Sequence, residues 1–400
     1  MPENQKFGEI IWPRLVANKL LRRPLGSNRF VADFPTVEKL LGVECLVEPT
    51  SPSRPLDAQK DTLKYKVFVS TWNVGGVTPT DDLNLEDWLD IKNNSYDIYV
   101  LGFQEIVPLS AKNVLGPEKS WISMKWNSHI RETLNKSLSN NKRREESKLE
   151  KDGGSREKRS TRDFRCIISK QMVGIFASVW VRSDLWPYIH HPSVSCIGCG
   201  VMGCLGNKGA VSVRFCLHET SFCFVCCHLA SGGKERDVLL RNSDVMDIFS
   251  RTSFPCVTSM DLPQKILDHD RIILLGDLNY RISLPEPKTR LLVDQRKWNI
   301  LLEQDQLRCE LSKGGIFEGW HEGLITFSPT YKYYPNSDEY YGTNCSKRRP
   351  PAWCDRILWF GEGLKQTRYD KCDSRLSDHR PVQAVFAVEV EVLGKLSFFL

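Results

Sequence analysis

Two β-sheets packed on each other and covered by helices, an α+β arrangement within the broad α/β class, are the fold this sequence predicts. Three observations carry the expectation. Apolar runs of strand length recur from Val67 to Val388. Several alternate, as Val211, Val213 and Phe215 do against Ser212 and Arg214, which is the period of a strand with one buried face. Only a few segments between them have helical period, enough to cover sheets.

Taken in order, the chain begins with a segment, residues 10–23, that sets Trp12, Leu15, Val16 and Leu20 at helical spacing, with Pro13 near its start. Arg14, Lys19, Arg22 and Arg23 are interspersed. This predicts a short basic amphipathic helix, either docked on the domain or lying on a membrane. Residues 47–62 are polar and proline-rich and read as a linker. Residues 1–62 are therefore an extension, 63–392 the folded domain, and 393–400 a tail. Strands are expected at 67–73, 98–103, 174–181, 210–215, 222–228, 272–275, 356–360 and 382–388. Helices are expected at 235–250 and 287–311. The segment 136–165 is charged, mixed in sign and almost free of large apolar groups. Burial cannot offset its ordering entropy, so it reads as a disordered insertion.

Composition narrows the classes. At 400 residues the chain can bury a sizeable core. Its 41% apolar and 26% charged residues are ordinary for a soluble globular protein. A net charge of +6 suits an acidic ligand without identifying one. No stretch reaches the ~18 consecutive apolar residues of a membrane span. The first residues lack an apolar secretory core. The 14 cysteines show no disulfide framework and read as reduced thiols of a cytoplasmic protein. Cys196, Cys199 and Cys204 have no second ligand pair at finger spacing, so zinc is not expected.

The chemical candidates lie at strand ends. Asn73 closes one run, Glu105 follows another, His228 closes "FVCCHLAS", and Asp277 and Asn279 end "ILLGDLN". Asp355 opens "DRILWF", and Asp378 and His379 precede the last strand. Each alone has a bland reading, as an Asx turn or a satisfied histidine. Their repetition suggests that aligned strand ends build one polar site. Carboxylates and amides favour a hard cation such as Mg²⁺. There is no phosphate-binding loop ending in Gly-Lys-Ser/Thr and no Gly-x-Ser-x-Gly elbow. Metal-assisted attack of water on phosphorus fits this inventory best.

The stretches "LLGDLNYR" and "RRPPAWCDRIL", with "TWNVGG", "FQEIVPL", "MGCLGNKGAVSVRF", "CHLASG", "TFSPTYKY" and "SDHRPV", give a resemblance that runs from about Tyr65 to Val388. The sequence resembles the inositol polyphosphate 5-phosphatases of plant type, in the endonuclease/exonuclease/phosphatase superfamily that includes deoxyribonuclease I. The resemblance implies a four-layer α/β/β/α sandwich of two mostly antiparallel sheets. It implies Glu105 as the principal Mg²⁺ ligand, with Asn73 beside it and Asp378 close to the metal. Asp277 would orient and deprotonate the attacking water, and Asn279 would hold that water or a phosphate oxygen. His379 would bind the scissile phosphate, Asp355 would orient His379, and His228 would donate from the other side. Tyr331, Lys347 and Arg349 would surround the phosphate at ring position 4, and Val201 and Met202 would face acyl chains. Inositol polyphosphates or phosphoinositide head groups are then the expected partners, with peripheral membrane contact and no nucleic acid. A nuclease of the same superfamily and a non-catalytic phosphoinositide-binding protein are the alternatives. The location expected is cytoplasmic, peripheral at membranes, with a nuclear pool left open. The chain departs from the family at Leu274, where tryptophan is frequent.

Overall fold

The computed structural model describes residues 29–33, 60–92, 96–149, 163–255, 262–342 and 349–393. The strands are β1 (Lys60–Asn73), β2 (Ile98–Gln104), β3 (Phe164–Met172), β4 (Ile175–Arg182), β5 (Ile189–Gly198) and β6 (Gly209–Leu217). They continue with β7 (Thr220–His228), β8 (Arg271–Asp277), β9 (His321–Glu322), β10 (Asp355–Phe360), β11 (Leu364–Lys371) and β12 (Val382–Leu393). The helices are α1 (Ala111–Leu115), α2 (Ser120–Leu149), α3 (Asp237–Arg251), α4 (Glu286–Asp294), α5 (Trp298–Leu302) and α6 (Gln306–Lys313).

Two six-stranded sheets result, in the orders β11-β12-β1-β2-β4-β3 and β5-β6-β7-β8-β10-β9. Pairing is antiparallel except between β1 and β2 and between β7 and β8, so each sheet is mixed. Side chains alternate across each strand. Val67 and Val69 of β1, Ile273 and Leu275 of β8, and Phe222 and Phe224 of β7 therefore share the core between the sheets. Phe68 and Trp72 turn outward to Trp126 and Ile130 of α2. Val225 and Leu274 turn outward to Val245 and Ile248 of α3. The layers are helix, sheet, sheet, helix. Leu274 is a packing residue under a helix, so its departure from the family leaves the strand ends untouched.

Four expectations need correction. The segment 136–165 is not disordered throughout, because α2 continues through it to Leu149 and β3 begins at Phe164. Its Lys, Arg and Glu residues are good helix formers and need no core to satisfy the backbone; residues 150–162 lie outside the described ones. The folded domain begins at Lys60, since β1 pairs with β12 from Lys60↔Leu393 onward. Part of the extension also belongs to the domain: Val31 bridges Ser169 of β3 in both directions (2.9 and 2.8 Å). The helix expected over 287–311 is three, interrupted where Arg296 adopts φ +54° and where Asp305 caps α6 by accepting from the Arg308 N–H. The amphipathic segment 10–23 and residues 394–400 lie outside the described residues.

Candidate active site

Strand parity builds the site. Asn73, His228, Asp277 and Asp355 have the same parity as the core residues of their strands, so each points between the sheets. Register then aligns them: His228 pairs with Asp277 across the parallel β7–β8 ladder, and Asp355 pairs with Asp277 across β8–β10. Gly276 lets β7 and β8 close at this point. It has φ +153°, and a Cβ there would stand 2.1 Å from the Cys227 carbonyl oxygen, so only glycine fits beside the strand that carries His228.

The facing sheets complete the constellation. Asn73 Nδ2 donates to Asp277 Oδ2 at 2.9 Å and to Glu105 Oε1 at 3.3 Å. Its Oδ1 accepts from the Gly75 N–H at 3.0 Å, which fixes the amide orientation. Asn73 thus bridges the two carboxylates, and it would have to turn over to act as the metal ligand expected of it. Glu105 and Asn279 both sit just past strand ends in the left-handed region, at φ +54° and +58°. Such backbone is costly for non-glycine residues and is held here by its surroundings. Asn279 Nδ2 donates to the Leu229 carbonyl (3.1 Å), and its Oδ1 accepts from Arg281 (2.6 Å). His379 Nδ1 lies 2.9 Å from Asp355 Oδ2, which also accepts from the Thr330 hydroxyl (2.7 Å). Ligand atoms of Asp277, Asp355 and His379 lie within 4.8 Å of one another.

The remaining expected residues divide. The Tyr331 ring lies against that of His379, tilted by 43° with centroids 4.6 Å apart. Asp378 is paired with Lys332. Arg349 and Val201 are exposed, Lys347 lies outside the described residues, and of Met202 only the backbone is described. The structure therefore joins Asn73, Glu105, His228, Asp277, Asn279, Asp355, His379 and Tyr331 in one site, with Asp378 near enough to act on His379, and Arg349 on Tyr331, through their charges.

Residues 70–385 match the family described as Endonuclease/Exonuclease/phosphatase family 2. The type IV inositol polyphosphate 5-phosphatase 9 of Arabidopsis thaliana is 60% identical over 96% of this chain and 92% of its own length. The type I inositol polyphosphate 5-phosphatase 8 of the same plant is 44% identical, covering 95% and 86%. A solved structure, the inositol polyphosphate 5-phosphatase domain of SPsynaptojanin with inositol (1,4)-bisphosphate and a calcium ion, superposes with a TM-score of 0.68 at 31% identity. That superposition covers 84% of this chain and 87% of that one. The chain belongs to the inositol polyphosphate 5-phosphatases.

The electrostatics of this 5-phosphatase are set by burial and by close charges. Burial opposes a charge on His379, but Asp355, Asp277 and Asp378 outweigh it and raise its pKa to about 9. Burial likewise opposes ionisation of Asp277, yet the His228 hydrogen bond and the His379 and Lys208 charges hold its carboxyl well below the usual range. His228 goes the other way: burial and then Lys208 lower its pKa. At neutral pH the site holds a carboxylate at Asp277, an imidazolium at His379 and a neutral imidazole at His228.

The donor set fits a hard divalent cation. Glu105 and Asp277 offer carboxylate oxygens on either side of the single Asn73 amide, and the Glu105 side chain is 28% exposed, open to an entering ion. His379 is a poor ligand, since Nδ1 is committed to Asp355 and the ring is protonated. Sequence reasoning missed three cations of the 5-phosphatase site. Lys208 Nζ touches His228 Nε2. The Arg281 guanidinium lies 4.5 Å from the Tyr331 ring centroid and holds Asn279, and Lys332 holds Asp378. Lys208 was visible in "GNKG" and Lys332 in "TYKY", both quoted as resemblance, but neither loop has a periodicity that assigns a direction to a side chain.

Proposed function

We propose that this 5-phosphatase uses Mg²⁺ to hydrolyse the 5-phosphate of soluble inositol 1,4,5-trisphosphate and 1,3,4,5-tetrakisphosphate and of phosphoinositides such as phosphatidylinositol 4,5-bisphosphate. The setting proposed is the cytoplasm, with peripheral contact at membranes. One observation carries the reading: a carboxylate, Asp277, and an imidazolium, His379, face a common point from adjacent sheets. The inositol (1,4)-bisphosphate on the SPsynaptojanin domain supports it, being what a 1,4,5-trisphosphate becomes when its 5-phosphate is removed.

In this reading Mg²⁺, held by Glu105 with Asp277 and Asp378 nearby, would neutralise phosphoryl oxygens and polarise the phosphorus. The chain's own groups do the rest. Asp277 accepts a hydrogen bond from the attacking water and directs its lone pair at phosphorus. Its carboxyl is held below the usual range by the His228 hydrogen bond and the nearby cations, so it is ionised at neutral pH and free to accept that bond. His379 donates to a phosphoryl oxygen as negative charge builds there. Asp355 and the Thr330 hydroxyl keep that imidazolium aimed. The water oxygen bonds to phosphorus as one of its protons leaves by way of Asp277 to solvent, the bond to the ring oxygen breaks, and that oxygen takes up a proton from solvent. Tyr331, Lys347 and Arg349 are assigned to the 4-phosphate on family resemblance.

The test is phosphate release by the purified chain with Mg²⁺ and with EDTA. Its substrates are soluble inositol phosphates with and without a 4-phosphate, phosphoinositides in vesicles, and plasmid DNA. Release from the 5-position that EDTA abolishes is expected. DNA nicking, or binding without turnover, would replace this reading by one of its alternatives.

A further inference from the structure

Asp237, Arg241 and Asp244 of α3 stand four and three residues apart, so they share one face of the helix. All three hold the segment 230–234, which leaves β7 after His228 and Leu229 and has no ladder of its own. Asp244 Oδ2 accepts from the Ala230 N–H (2.7 Å), and Asp237 Oδ2 accepts from the Lys234 N–H (2.8 Å). Arg241 Nη1 donates to the carbonyls of Ala230 (3.4 Å) and Gly232 (3.2 Å). Its other terminal nitrogen, Nη2, donates to Gln306 Oε1 at the start of α6 (2.7 Å). That amide oxygen also accepts from the Arg281 N–H (2.9 Å), and the Gln306 N–H donates back to the Arg281 carbonyl (2.9 Å). One guanidinium thus joins the segment after β7 to the segment after β8.

Asn279 sits between these two segments, in left-handed backbone at φ +58°. Such a residue stays in place only where its surroundings hold it. Its Nδ2 donates to the carbonyl of Leu229, the neighbour of Ala230, and its Oδ1 accepts from the Arg281 side chain. Both partners belong to the segments that Arg241 joins. Arg241 itself bonds to none of the reacting groups.

The surroundings of Arg241 argue against a purely stabilising role. It is fully buried, and every hydrogen bond it makes among the described residues ends on a neutral oxygen. Arg356, equally buried, sits between two carboxylates. A buried charge without such a partner is costly, and a well-packed apolar side chain would stabilise the core better. What the guanidinium supplies, and neither an apolar chain nor an ammonium does, is a rigid fork that spans two loops.

We infer that Arg241 is a positioning residue of the reaction: with Gln306 as its relay, it fixes the spacing of the segments after β7 and β8 and thereby holds the Asn279 side chain at the reacting phosphate. The inference rests on the role that family resemblance gives Asn279, which is to hold the attacking water or a phosphate oxygen.

The test is a double-mutant cycle on the full chain with Mg²⁺ and inositol 1,4,5-trisphosphate. Arg241→Lys keeps the charge and loses the span. It should lower kcat about tenfold or more and leave KM within about twofold, since a small misplacement of a positioned group slows the reacting step. In Asn279→Ala the same change should cost less than about twofold, because residues that act through one contact are not additive. The side-chain amide protons of Asn279, followed by NMR, should exchange at least about tenfold faster in Arg241→Lys, while the backbone amides of β7 and β8 keep their protection. Should Arg241→Lys fail to fold, Gln306→Leu cuts the relay, leaves both carbonyl bonds and is read in the same way. Equal losses in the two backgrounds, a loss carried by KM alone, or an Asn279 amide that exchanges as in the natural chain would overturn the inference and leave the role of Asn279 standing. An Asn279→Ala enzyme with full kcat would remove that role, and the inference with it.

Discussion

His379 Nδ1 and Asp355 Oδ2 stand 2.9 Å apart in a site that excludes solvent from both. An imidazole there would lose its proton to burial alone, so its raised pKa depends on the neighbouring acids. The alkaline limb of kcat/KM on a soluble substrate should therefore fall near pH 9. In Asp355→Asn it should move down by a unit or more, roughly the size of shift that one close carboxylate causes. The sign for stability follows. A folded pKa above the ordinary 6.5 gives stability that is complete below pH 6.5 and is lost as the pH climbs through 9. Urea midpoints measured from pH 6.5 to 9 should decline, and the decline should flatten in Asp355→Asn. An alkaline limb that ignores the substitution would detach His379 from this role.

Glu105 reaches the site from an unfavourable backbone conformation, and its carboxylate is partly open to solvent. Removing the charge while keeping the shape, as in Glu105→Gln, weakens a site for a hard cation. The variant should need far more Mg²⁺ for half-maximal turnover, while its thermal midpoint without metal stays near that of the natural chain. An unchanged Mg²⁺ titration would assign the metal elsewhere.

What was legible in the sequence follows a physical boundary. Each strand read from apolar pattern, β1, β2, β4, β6, β7, β8, β10 and β12, lies inside a sheet. The four that escaped, β3, β5, β9 and β11, are the edges. Edge strands meet solvent along one side and carry charge or proline, as "LKQTRYDK" and "IHHPSVSCIG" do, so their pattern is weak. The site shows the same divide. Its acids and imidazoles end interior strands and were found. Lys208 and Lys332 approach from loops, where only the fold fixes direction. That Asn73 meets Asp277 across 204 residues is a fact of sheet packing that no local pattern contains.

The signature "CDRIL" splits its labour between two adjacent residues. Asp355 faces the site, while Arg356, on the other face of β10, is fully buried between Glu322 (2.6 Å to each oxygen) and Asp305 (2.9 and 3.0 Å). Arg356→Met would strand two buried carboxylates, a change that typically costs about 3–5 kcal/mol. Urea unfolding should show this loss. KM of the remaining folded protein should change little, since Arg356 touches no group of the site. A stable variant with damaged KM would contradict the division.

Lys208 presses on His228 and, after burial, is the largest influence lowering its pKa. Asp277 and Glu105 pull the other way. Lys208→Met should therefore raise the His228 pKa, and its ring should be more protonated at pH 7. Nitrogen chemical shifts of the imidazole, followed by NMR between pH 5 and 8, would record the change. A His228 titration indifferent to Lys208 would mean that burial alone keeps it neutral.

The loop after β5 offers the clearest separation of lipid from soluble substrate. Val201 stands at its tip, 51% exposed. Behind it the backbone is tied: Gly200 N–H donates to Leu205 O (2.9 Å), Gly203 N–H to Gly200 O (2.7 Å), and Arg251 of α3 donates to the carbonyls of Gly198 and Gly203 (3.2 and 3.0 Å). Gly203 adopts φ +66°, where glycine is at ease. Changing the tip side chains leaves those bonds in place, so the catalytic groups should not move. A valine fully transferred from water to an apolar phase contributes about 1.5 kcal/mol, slightly more than tenfold in binding. Val201→Ser with Met202→Ser should therefore slow hydrolysis of a vesicle-borne phosphoinositide about tenfold or more, through KM expressed as lipid surface. It should leave kcat/KM for inositol 1,4,5-trisphosphate within about twofold, a difference worth less than 0.5 kcal/mol. Equal losses on the two substrates would show that the tip packs within the protein and does not meet acyl chains.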